Sequence, residues 1–597
     1  MHYTSIENIH KVIDPLFLSE LNQKFEDAKA LKVVKTRNAK LDDLQREIAN
    51  LKFLDPAAGS GNFLTETYLS LRRLENKIIK LKMGQQIVHG SIADPIQVSI
   101  NQFYGIEIND FAVAVAKTAL WIAESQMIRE TEDIVHSSID FLPLKSDANI
   151  FETNALEVDW KSLAPRDELN YIMGNPPFLG YSQQDEKQKE EMLNLFVDEN
   201  GKPFKRAGKI DYVAAWYLQA AKMIKDTDIC VAFVSTNSIT QGEQVPVIWK
   251  PLFQDYGIQI IFAHRTFRWD SEATDKAHVH VVVIGFCHGN SGRQKYIIEN
   301  GMLKKVSYIN SYLMDAPNIF IESRKHPISN VPEMMTGNRP ADGGHLIIEA
   351  DEYDEFLRKE PEAIKYIKKL TGSAEYINNK RRYCLWLVDA TPNQLRRMPE
   401  VMKRVEACRQ DRLKGAADRQ QLADTPTLFR ETNNPNKYII VPYTSSERRK
   451  YIPMGFLDQE TIPTDGARII PDGTIYHLGV LLSNVHMAWM RMVAGRLKSD
   501  YRYSKDIVYN NFPWPEPNAT QKEKIEETAR AILNARELYP DSSLADLYDD
   551  LIMPPELRKA HQENDRAVME AYGFNWRTMT GTECVTELME LHQKLTR

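Results

Sequence analysis

Apolar positions in the first half of the chain follow two alternating patterns. Short apolar runs, at 51–54, 103–106 and 171–173, are typical of buried strands. Segments with apolar residues every three or four positions separate these runs and predict helices, at 62–75, 110–127 and 210–224. Strands that alternate with helices indicate a parallel sheet, so we predict an α/β fold with a Rossmann-like domain. Further strands are predicted at 150–156, 229–235, 258–264 and, as an antiparallel run, 278–287.

The same patterns divide the chain into domains. Before the first strand, residues 5–30 predict one amphipathic helix with Ser5 as its N-cap. The strand–helix alternation ends near Cys287, and a mixed, turn-rich region follows, with glycines and prolines clustered at 337–344. Beyond Pro517 the spacing is helical again. We therefore predict an N-terminal helix and α/β domain at 1–335, a mixed α/β domain at 336–517 and a helical C-terminal region at 518–597.

The composition is that of a soluble globular protein. Of the 597 residues, 43% are hydrophobic and 26% are charged. We find no apolar run of transmembrane length and no apolar leader after Met1, so we expect a cytoplasmic protein without a membrane partner. The five cysteines are scattered without a C-x-x-C pair, which argues against a zinc ribbon or a disulfide scaffold. We predict no metal site.

Two predicted strands end in a carboxylate. Asp55 ends the first strand and Glu107 the second. The carboxyl ends of parallel strands meet at one edge of a sheet, where ligands bind. Gly59 and Gly61, in the turn after Asp55, let the backbone approach a ligand closely, and the next helix offers free N–H groups. Because the turn lacks the full dinucleotide motif, it predicts a nucleoside ligand without a pyrophosphate.

A rigid loop, Asn175-Pro176-Pro177-Phe178, follows the fourth strand. The two prolines fix their own φ angles and hold the preceding residues out of the helical region. The Asn175 side-chain oxygen and the Pro176 carbonyl could accept both N–H groups of an exocyclic amine, which frees its lone pair to attack a sulfonium methyl group. Phe178 offers a face on which an extruded base can stack. The alternative is a plain Pro-Pro turn after a core strand.

A basic segment interrupts an otherwise acidic protein. The whole chain carries a net charge of −7, but residues 376–450 contain 16 Lys and Arg against 8 Asp and Glu, hence +8. A cationic face of this kind is typical of phosphate binding, although a solvated charged surface gives the same pattern. Candidates for contacts with nucleic acid, within this segment and after it, are Arg448, Arg449, Lys450, Arg496 and Lys498.

The order of these motifs resembles that of class I S-adenosylmethionine-dependent amino-methyltransferases. Residues 55–63 (DPAAGSGNF), then Glu107, then 175–178 (NPPF) are similar to the motifs of DNA adenine-N6 enzymes of the gamma arrangement. Residues 3–5, 491–504 (RMVAGRLKSDYRYS) and 510–517 (NNFPWPEP) resemble the methyltransferase and target-recognition portion of MmeI-like (type IIL) restriction–modification proteins. The middle domain would then be the target-recognition domain.

The resemblance implies S-adenosylmethionine as the cofactor and an adenine flipped out of double-stranded DNA as the acceptor, in a restriction–modification or related phage-defence system. It implies a catalytic role for Asn175, Pro176, Pro177 and Phe178. It implies a second aromatic residue against the flipped base, for which Phe267 and Trp269 are the candidates. It implies cofactor binding by Tyr3, Thr4, Ser5, Asp55, Pro56, Ala57, Gly59, Gly61, Asn62, Phe63, Glu107, Ile108, Asn154 and Ala155. Asn154 could instead simply cap the turn before Leu156.

One departure from the family concerns the nuclease. MmeI-like proteins usually carry an N-terminal endonuclease domain, whereas this chain begins directly before the first methyltransferase motif. We therefore expect no restriction activity of its own. The chain would then be a stand-alone modification enzyme, a subunit that works with a separate nuclease or translocase, or a fragment. Two alternatives stay open: a DNA-specificity subunit of a larger defence complex, and a methyltransferase of RNA or of a protein glutamine, since Asn-Pro-Pro-aromatic loops also serve those acceptors. The intact loop and the basic segment favour methylation of duplex DNA.

Overall fold

A computed structural model describes residues 4–83, 95–137, 139, 148–269, 279–289, 292–497 and 499–596. The chain divides into two compact units. The first comprises Met1–Thr240 with Gln244–Phe320, and the second Gln241–Glu243 with Ile321–Arg597. The glycine- and proline-rich segment 337–344 lies within the second unit. The domain boundaries at 335 and 517 stay predictions.

The first unit is built on a nine-stranded sheet with the order β3-β2-β1-β4-β5-β7-β6-β8-β9. Strands β1 to β5 are parallel, and β7 inserts antiparallel between β5 and β6. The predicted Rossmann-like α/β fold is thereby confirmed. The strands are β1 Phe53–Asp55, β2 Phe103–Glu107, β3 Asn149–Glu152, β4 Tyr171–Gly174, β5 Cys230–Thr236, β6 Ile258–Trp269, β7 Val279–His288, β8 Lys295–Glu299 and β9 Met302–Val306.

The strand order reverses between β1 and β4. From β1 the chain proceeds outward through β2 to β3, and then returns to place β4 on the other side of β1. Such a switch point leaves a crevice at the carboxyl ends of the two central strands, because the connecting segments leave the sheet in opposite directions. Asp55 ends β1 and Asn175 follows β4, so both predicted site residues lie at this crevice.

The helices predicted for the first unit are present with other bounds, and three further helices were not predicted. The helices are α1 Ile6–Ile13, α2 Ser19–Lys29, α3 Val34–Asn50, α4 Asn62–Met83, α5 Asp110–Val135, α6 Glu186–Leu195, α7 Ala214–Ile224 and α8 Gln244–Gln254, of which α3, α6 and α8 were not predicted. The single helix predicted over 5–30 contains a π-helical turn, Asp14–Leu18. Pro15 lies in that turn, where its missing N–H removes one α-helical hydrogen bond. The charged segment before β1 forms α3, whose Leu41, Leu44 and Ile48 are buried.

Helix α5 is long and apolar enough to cross a membrane when judged by length and composition alone. Lys117 and Glu124 interrupt its apolar positions. The helix connects β2 with its parallel neighbour β3 and packs against α4. Parallel neighbouring strands require such a crossover, so its position identifies α5 as part of the α/β sheet unit.

The second unit combines small sheets with helices, as the predicted mixed α/β fold with a helical C-terminal region requires. Its sheets have the orders β10-β18-β14-β16, β11-β13-β12-β17 and β15-β20-β19. Its strands are β10 Met335–Thr336, β11 Ile347–Glu349, β12 Ile367–Thr371, β13 Arg382–Leu385, β14 Lys437–Pro442, β15 Thr444–Ser445, β16 Gly455–Asp458, β17 Thr461–Pro463, β18 Ala467–Pro471, β19 Gly495–Leu497 and β20 Asp500–Arg502. Its helices are α9 Tyr353–Lys359, α10 Ser373–Asn378, α11 Pro392–Arg396, α12 Pro399–Leu413, α13 Ala417–Gln420, α14 Ile475–Leu481, α15 Asn484–Val493, α16 Ala519–Glu537, α17 Leu544–Leu547, α18 Pro555–Ala571 and α19 Gly581–Thr596.

Candidate active site

A cleft of about 620 Å³ opens at the carboxyl ends of the parallel strands. It lies at the switch point between β1 and β4, where the fold leaves a crevice. Most of the residues proposed from the sequence line it: Thr4, Asp55, Pro56, Ala57, Gly59, Asn62, Phe63, Glu107, Ile108, Asn154, Ala155, Asn175, Pro176, Pro177 and Phe178. Segments far apart in the sequence therefore converge on one cavity.

Asp55 is a buried carboxyl group at the floor of this cleft. Its side chain is only 1% exposed, and its Oδ1 accepts a hydrogen bond of 3.0 Å from the Ala57 N–H. Burial raises the pKa of Asp55 to about 7; the Ala57 N–H opposes this rise and the negative charge of Glu107 adds to it. A carboxyl group of this kind would lose its proton readily beside a cationic ligand.

Glu107 fixes the glycine turn that follows β1. Its Oε2 accepts a hydrogen bond of 2.9 Å from the Gly59 N–H, and its Oε1 accepts the N–H groups of Ile108 and Asn109 at 3.0 and 2.9 Å. Gly61 has a φ of +80°, and a Cβ atom there would lie 2.9 Å from the Ala116 Cβ. The turn therefore depends on glycine at 61 and holds the carboxylate of Glu107 at the edge of the cleft.

Asn175 has a free acceptor in the cleft. Its Nδ2 donates a hydrogen bond of 3.3 Å to the Thr4 Oγ1, which directs Oδ1 the other way. Among the residues that the structure describes, the buried Oδ1 has no hydrogen-bond partner. Buried polar atoms are nearly always paired, so an unpaired oxygen in a cleft indicates a place for an incoming donor. Phe178 follows, half-buried against the core of the unit.

Asn154 caps its turn and also lines the cleft. Its Oδ1 accepts a hydrogen bond of 2.9 Å from the Leu156 N–H, which is the turn-capping role. Its Nδ2 donates to Glu157 and Glu191, at 3.0 and 2.9 Å, and the residue also lines the cleft. Capping therefore fixes the side chain in the cleft wall.

Several cleft residues were not identified from the sequence. Asp185, Lys187, Gln188 and Glu191, on and just before α6, and Tyr212 and Trp216, near the start of α7, line the same cavity. The indole N–H of Trp216 donates to the Pro56 carbonyl at 3.0 Å, and the Tyr212 hydroxyl donates to Glu191. In the sequence, Tyr212 and Trp216 fit the apolar spacing of a helix.

Other predicted site residues lie elsewhere. Ser5 occupies the N-cap position of α1, but its side chain accepts no capping hydrogen bond. Phe267, on β6, packs against the core of the unit with the Lys11 ammonium 5.4 Å from its ring centre, and it is not among the described cleft residues. Tyr3, Lys498 and the side chain of Trp269 lie outside the described residues. The choice between Phe267 and Trp269 stays a prediction.

The recognition candidates of the second unit lie near the small sheet of β15, β19 and β20. Arg448 and Lys450 are exposed in the turn after β15. Arg449 is half-buried, with its guanidinium 3.5 Å from the Ser445 Oγ, and burial lowers its pKa. Arg496 stacks 3.8 Å from the ring centre of Tyr501. Its guanidinium also pairs with Glu447 at 3.6 Å.

The basic segment 376–450 exposes less positive charge than its sequence alone indicates. Arg382 and Arg404 pair, each at 3.0 Å, with glutamates that precede the segment, Glu349 and Glu352. Arg412 is fully buried and donates to five backbone carbonyls, those of Pro340, Ala341, Leu422, Thr425 and Leu428. Part of the local charge of +8 therefore stabilises the fold rather than facing solvent.

Metal-binding chemistry finds no support within the described ranges. No group of three or more His, Cys, Asp or Glu side chains there could hold a metal ion. The five cysteines are free thiols and all are buried. The groups that line the cleft include carboxylates, amides, backbone carbonyls, aromatic rings and the side chain of Lys187.

Comparison with known proteins gives consistent matches along the chain. Family models match for the MmeI DNA-methyltransferase domain at residues 31–299, the MmeI target recognition domain at 315–516 and the MmeI C-terminal domain at 517–597. DNA methyltransferase A of Bacillus subtilis (strain 168) is 43% identical over 100% of this chain, which spans 66% of that relative's length. A solved structure of the type IIL restriction-modification enzyme MmeI in complex with DNA matches with a TM-score of 0.89 at 42% identity, over 100% of this chain and 79% of that one.

Proposed function

Because this chain belongs to the MmeI family of DNA methyltransferases with a target recognition domain, we propose that it methylates the N6 amine of an adenine flipped out of duplex DNA. S-adenosylmethionine is the proposed methyl donor. The proposed setting is a cytoplasmic restriction–modification or related phage-defence system, with double-stranded DNA and a nuclease or translocase as partners.

The observation that carries this proposal is the unpaired Oδ1 of Asn175 in the cleft. The lone pair of an exocyclic adenine nitrogen is delocalised into the ring, which makes that nitrogen a poor nucleophile. Asn175 Oδ1 and the Pro176 carbonyl would accept its two N–H groups and so localise the lone pair on nitrogen. Positive charge then develops on this nitrogen beside two oxygen dipoles, and its proton can leave to water afterwards. Catalysis is thus positioning and electrostatic stabilisation, without a strong base.

The other cleft residues fit an adenosine cofactor that carries an amino-acid end. The buried Asp55 carboxyl, with its raised pKa, would ionise beside an ammonium group. Glu107 would accept ribose hydroxyls, while Ile108, Asn154 and Ala155 would surround the cofactor adenine. When bound, S-adenosylmethionine supplies an electrophilic methyl group on a sulfonium.

Modification mapping tests this function. The protein is incubated with S-adenosylmethionine and DNA from a host that lacks adenine methyltransferases, and the DNA is then read by long-read sequencing. We expect methylated adenines at one recurring sequence. A blank map from a folded protein that binds both DNA and cofactor would favour a DNA-specificity subunit. Methylation of RNA or of a protein glutamine in parallel assays, with unmodified DNA, would favour the other alternative.

A further inference from the structure

Asp211 is a buried carboxylate that joins three segments of the first unit. Its Oδ1 accepts hydrogen bonds from the backbone N–H groups of Leu179 at 3.0 Å and Val213 at 3.3 Å. Its Oδ2 accepts the hydroxyls of Thr236 at 3.0 Å and Ser238 at 3.3 Å. The loop after β4, the start of α7 and the end of β5 therefore meet at one side chain.

Leu179, the loop residue that binds Asp211, is hydrogen-bonded through both its N–H and its carbonyl group. While the Leu179 N–H donates to Asp211, the Leu179 carbonyl accepts the Tyr212 N–H at 3.1 Å and the Gln184 Nε2 at 3.0 Å. The N–H of Asp211 itself donates to the Gln244 Oε1 at 2.8 Å, which ties the arrangement to α8. Leu179 directly follows Phe178, so this anchoring limits where the backbone of Phe178 can lie.

A capping role for α7 does not explain these contacts. Capping would need only the bond to the Val213 N–H, whereas three of the four donors come from the loop after β4 and the end of β5. Burial raises the pKa of Asp211, and the four donors oppose that rise. Among the described residues, Asp211 is not one of those that line the cleft, so any effect on the reaction passes through the segments that it holds, the loop after β4 and the start of α7.

We propose that Asp211 is a positioning residue for target-base capture. By fixing Leu179, it holds the loop from Asn175 to Phe178 in the arrangement that receives an extruded base. This inference rests on the proposed function, in which Phe178 stacks on the base and Asn175 accepts its amine. Misplacing such a loop by about 1 Å can slow a reaction about 100-fold without removing any group that touches substrate.

Two substitutions separate positioning from folding. Asp211→Ala removes all four acceptor contacts. Asp211→Asn keeps Oδ1 for the two backbone N–H groups, and its amide can donate to the Thr236 and Ser238 hydroxyls, which rotate to accept. Asp198→Ala is the matched control, because Asp198 also binds two backbone N–H groups, those of Asn200 and Lys202 at 2.9 Å, in a turn of the same unit.

The assay uses a duplex that contains the mapped site, with 2-aminopurine at the target position to report base extrusion, and an adenine duplex for single-turnover methylation. We expect Asp211→Ala to lower the single-turnover rate about 10- to 100-fold and to reduce the 2-aminopurine signal at saturating DNA. Cofactor affinity and DNA affinity should stay at wild-type values. Asp211→Asn should restore most of both signals, and Asp198→Ala should behave as wild type.

Three results would overturn the inference. One is wild-type extrusion and methylation by Asp211→Ala. Another is a fall in both cofactor affinity and melting temperature for Asp211→Ala that Asp211→Asn does not reverse. Such a result would show that Asp211 is a purely structural residue. In both cases a strong defect in Asn175→Ala would leave the proposed function standing. The third is a folded wild-type protein that neither extrudes nor methylates the base, which would overturn the proposed function as well.

Discussion

Gly174 lies directly against the carboxyl group of Asp55: a Cβ atom at position 174 would be 2.5 Å from the Asp55 Oδ1. The two residues end neighbouring parallel strands, β4 and β1, at the switch point of the sheet. One begins the loop that carries Asn175, and the other is the acid proposed for the cofactor. The proposed cofactor and catalytic ends of the cleft therefore adjoin each other, so a side chain added at position 174 should displace Asp55.

Gly174→Ala should damage the cofactor site without touching any ligand. The added methyl group must displace Asp55 or β4, and overpacking of this kind costs about 1–3 kcal/mol of unfolding free energy. We expect weaker S-adenosylmethionine binding by calorimetry and a lower denaturation midpoint. Gly180→Ala is the control, because a Cβ atom there meets nothing within 4 Å. Equal cofactor affinities and denaturation midpoints for the two variants would contradict the close contact between Gly174 and Asp55.

The pKa of Asp55 predicts how cofactor affinity changes with pH. Its carboxyl group has a pKa of about 7 in the ligand-free protein, so it is mainly neutral at pH 6 and mainly ionised at pH 7.5. An ammonium group binds the ionised form, and an α-amino group, whose usual pKa is about 7.7–8.0, is still more than half protonated at about pH 7.5. S-adenosylmethionine should therefore bind more tightly as pH rises from about 6 to 7.5, by up to about tenfold. Asp55→Asn should bind S-adenosylmethionine weakly, with an affinity that does not change over this pH range. If the affinity of the wild type is also independent of pH, Asp55 does not bind the ammonium group.

Arg412 should prove to be a stabilising residue rather than a DNA contact. Its guanidinium is buried against five backbone carbonyls, and removing it takes a donor from each of them, although those of Leu422 and Thr425 also accept a backbone N–H. We expect Arg412→Ala to lower the unfolding free energy by at least about 3 kcal/mol, measured by urea denaturation. Arg409→Ala, at an exposed position of the same helix, should change it by less than about 0.5 kcal/mol. Comparable stability of both variants would refute this assignment.

Arg448 is the exposed recognition candidate whose role is simplest to measure. A contact with phosphate should weaken binding to all DNA sequences and reduce the salt dependence of the binding constant by about one ion, whereas a base contact should relax specificity at one position. We expect the phosphate pattern for Arg448→Ala in fluorescence anisotropy titrations at several salt concentrations. Unchanged affinity and salt slope would show that Arg448 is an ordinary surface residue.

The sheet and the ends of its strands could be predicted because their signals are local. An apolar run that stops at Asp55 or at Asn175 places a polar residue at a strand end, wherever the rest of the chain goes. The glycine turn is equally local, since Gly59 and Gly61 both have positive φ values, +54° and +80°, which favour glycine. These features depend on short segments, and the structure places them together at one cleft.

Residues that act through distant contacts could not be predicted. Asp211 is 32 positions from Leu179, and nothing in the sequence pairs them. Tyr212 and Trp216 satisfy the spacing of an apolar helix, so their approach to the cleft is invisible in the pattern. The charge of the basic segment was overestimated for a related reason: Glu349 and Glu352, which neutralise two of its arginines, precede it in the chain.

The most direct test of the account follows a labelled methyl group to its acceptor. Duplex DNA is incubated with trideuteromethyl S-adenosylmethionine and either wild-type protein or Asn175→Ala, then digested to nucleosides for mass spectrometry. We predict the label in N6-methyladenine with the wild type and a rate at least about 100-fold lower with Asn175→Ala, whose cofactor affinity should be unchanged. Label in cytosine, or equal rates from the two proteins, would contradict adenine methylation at Asn175.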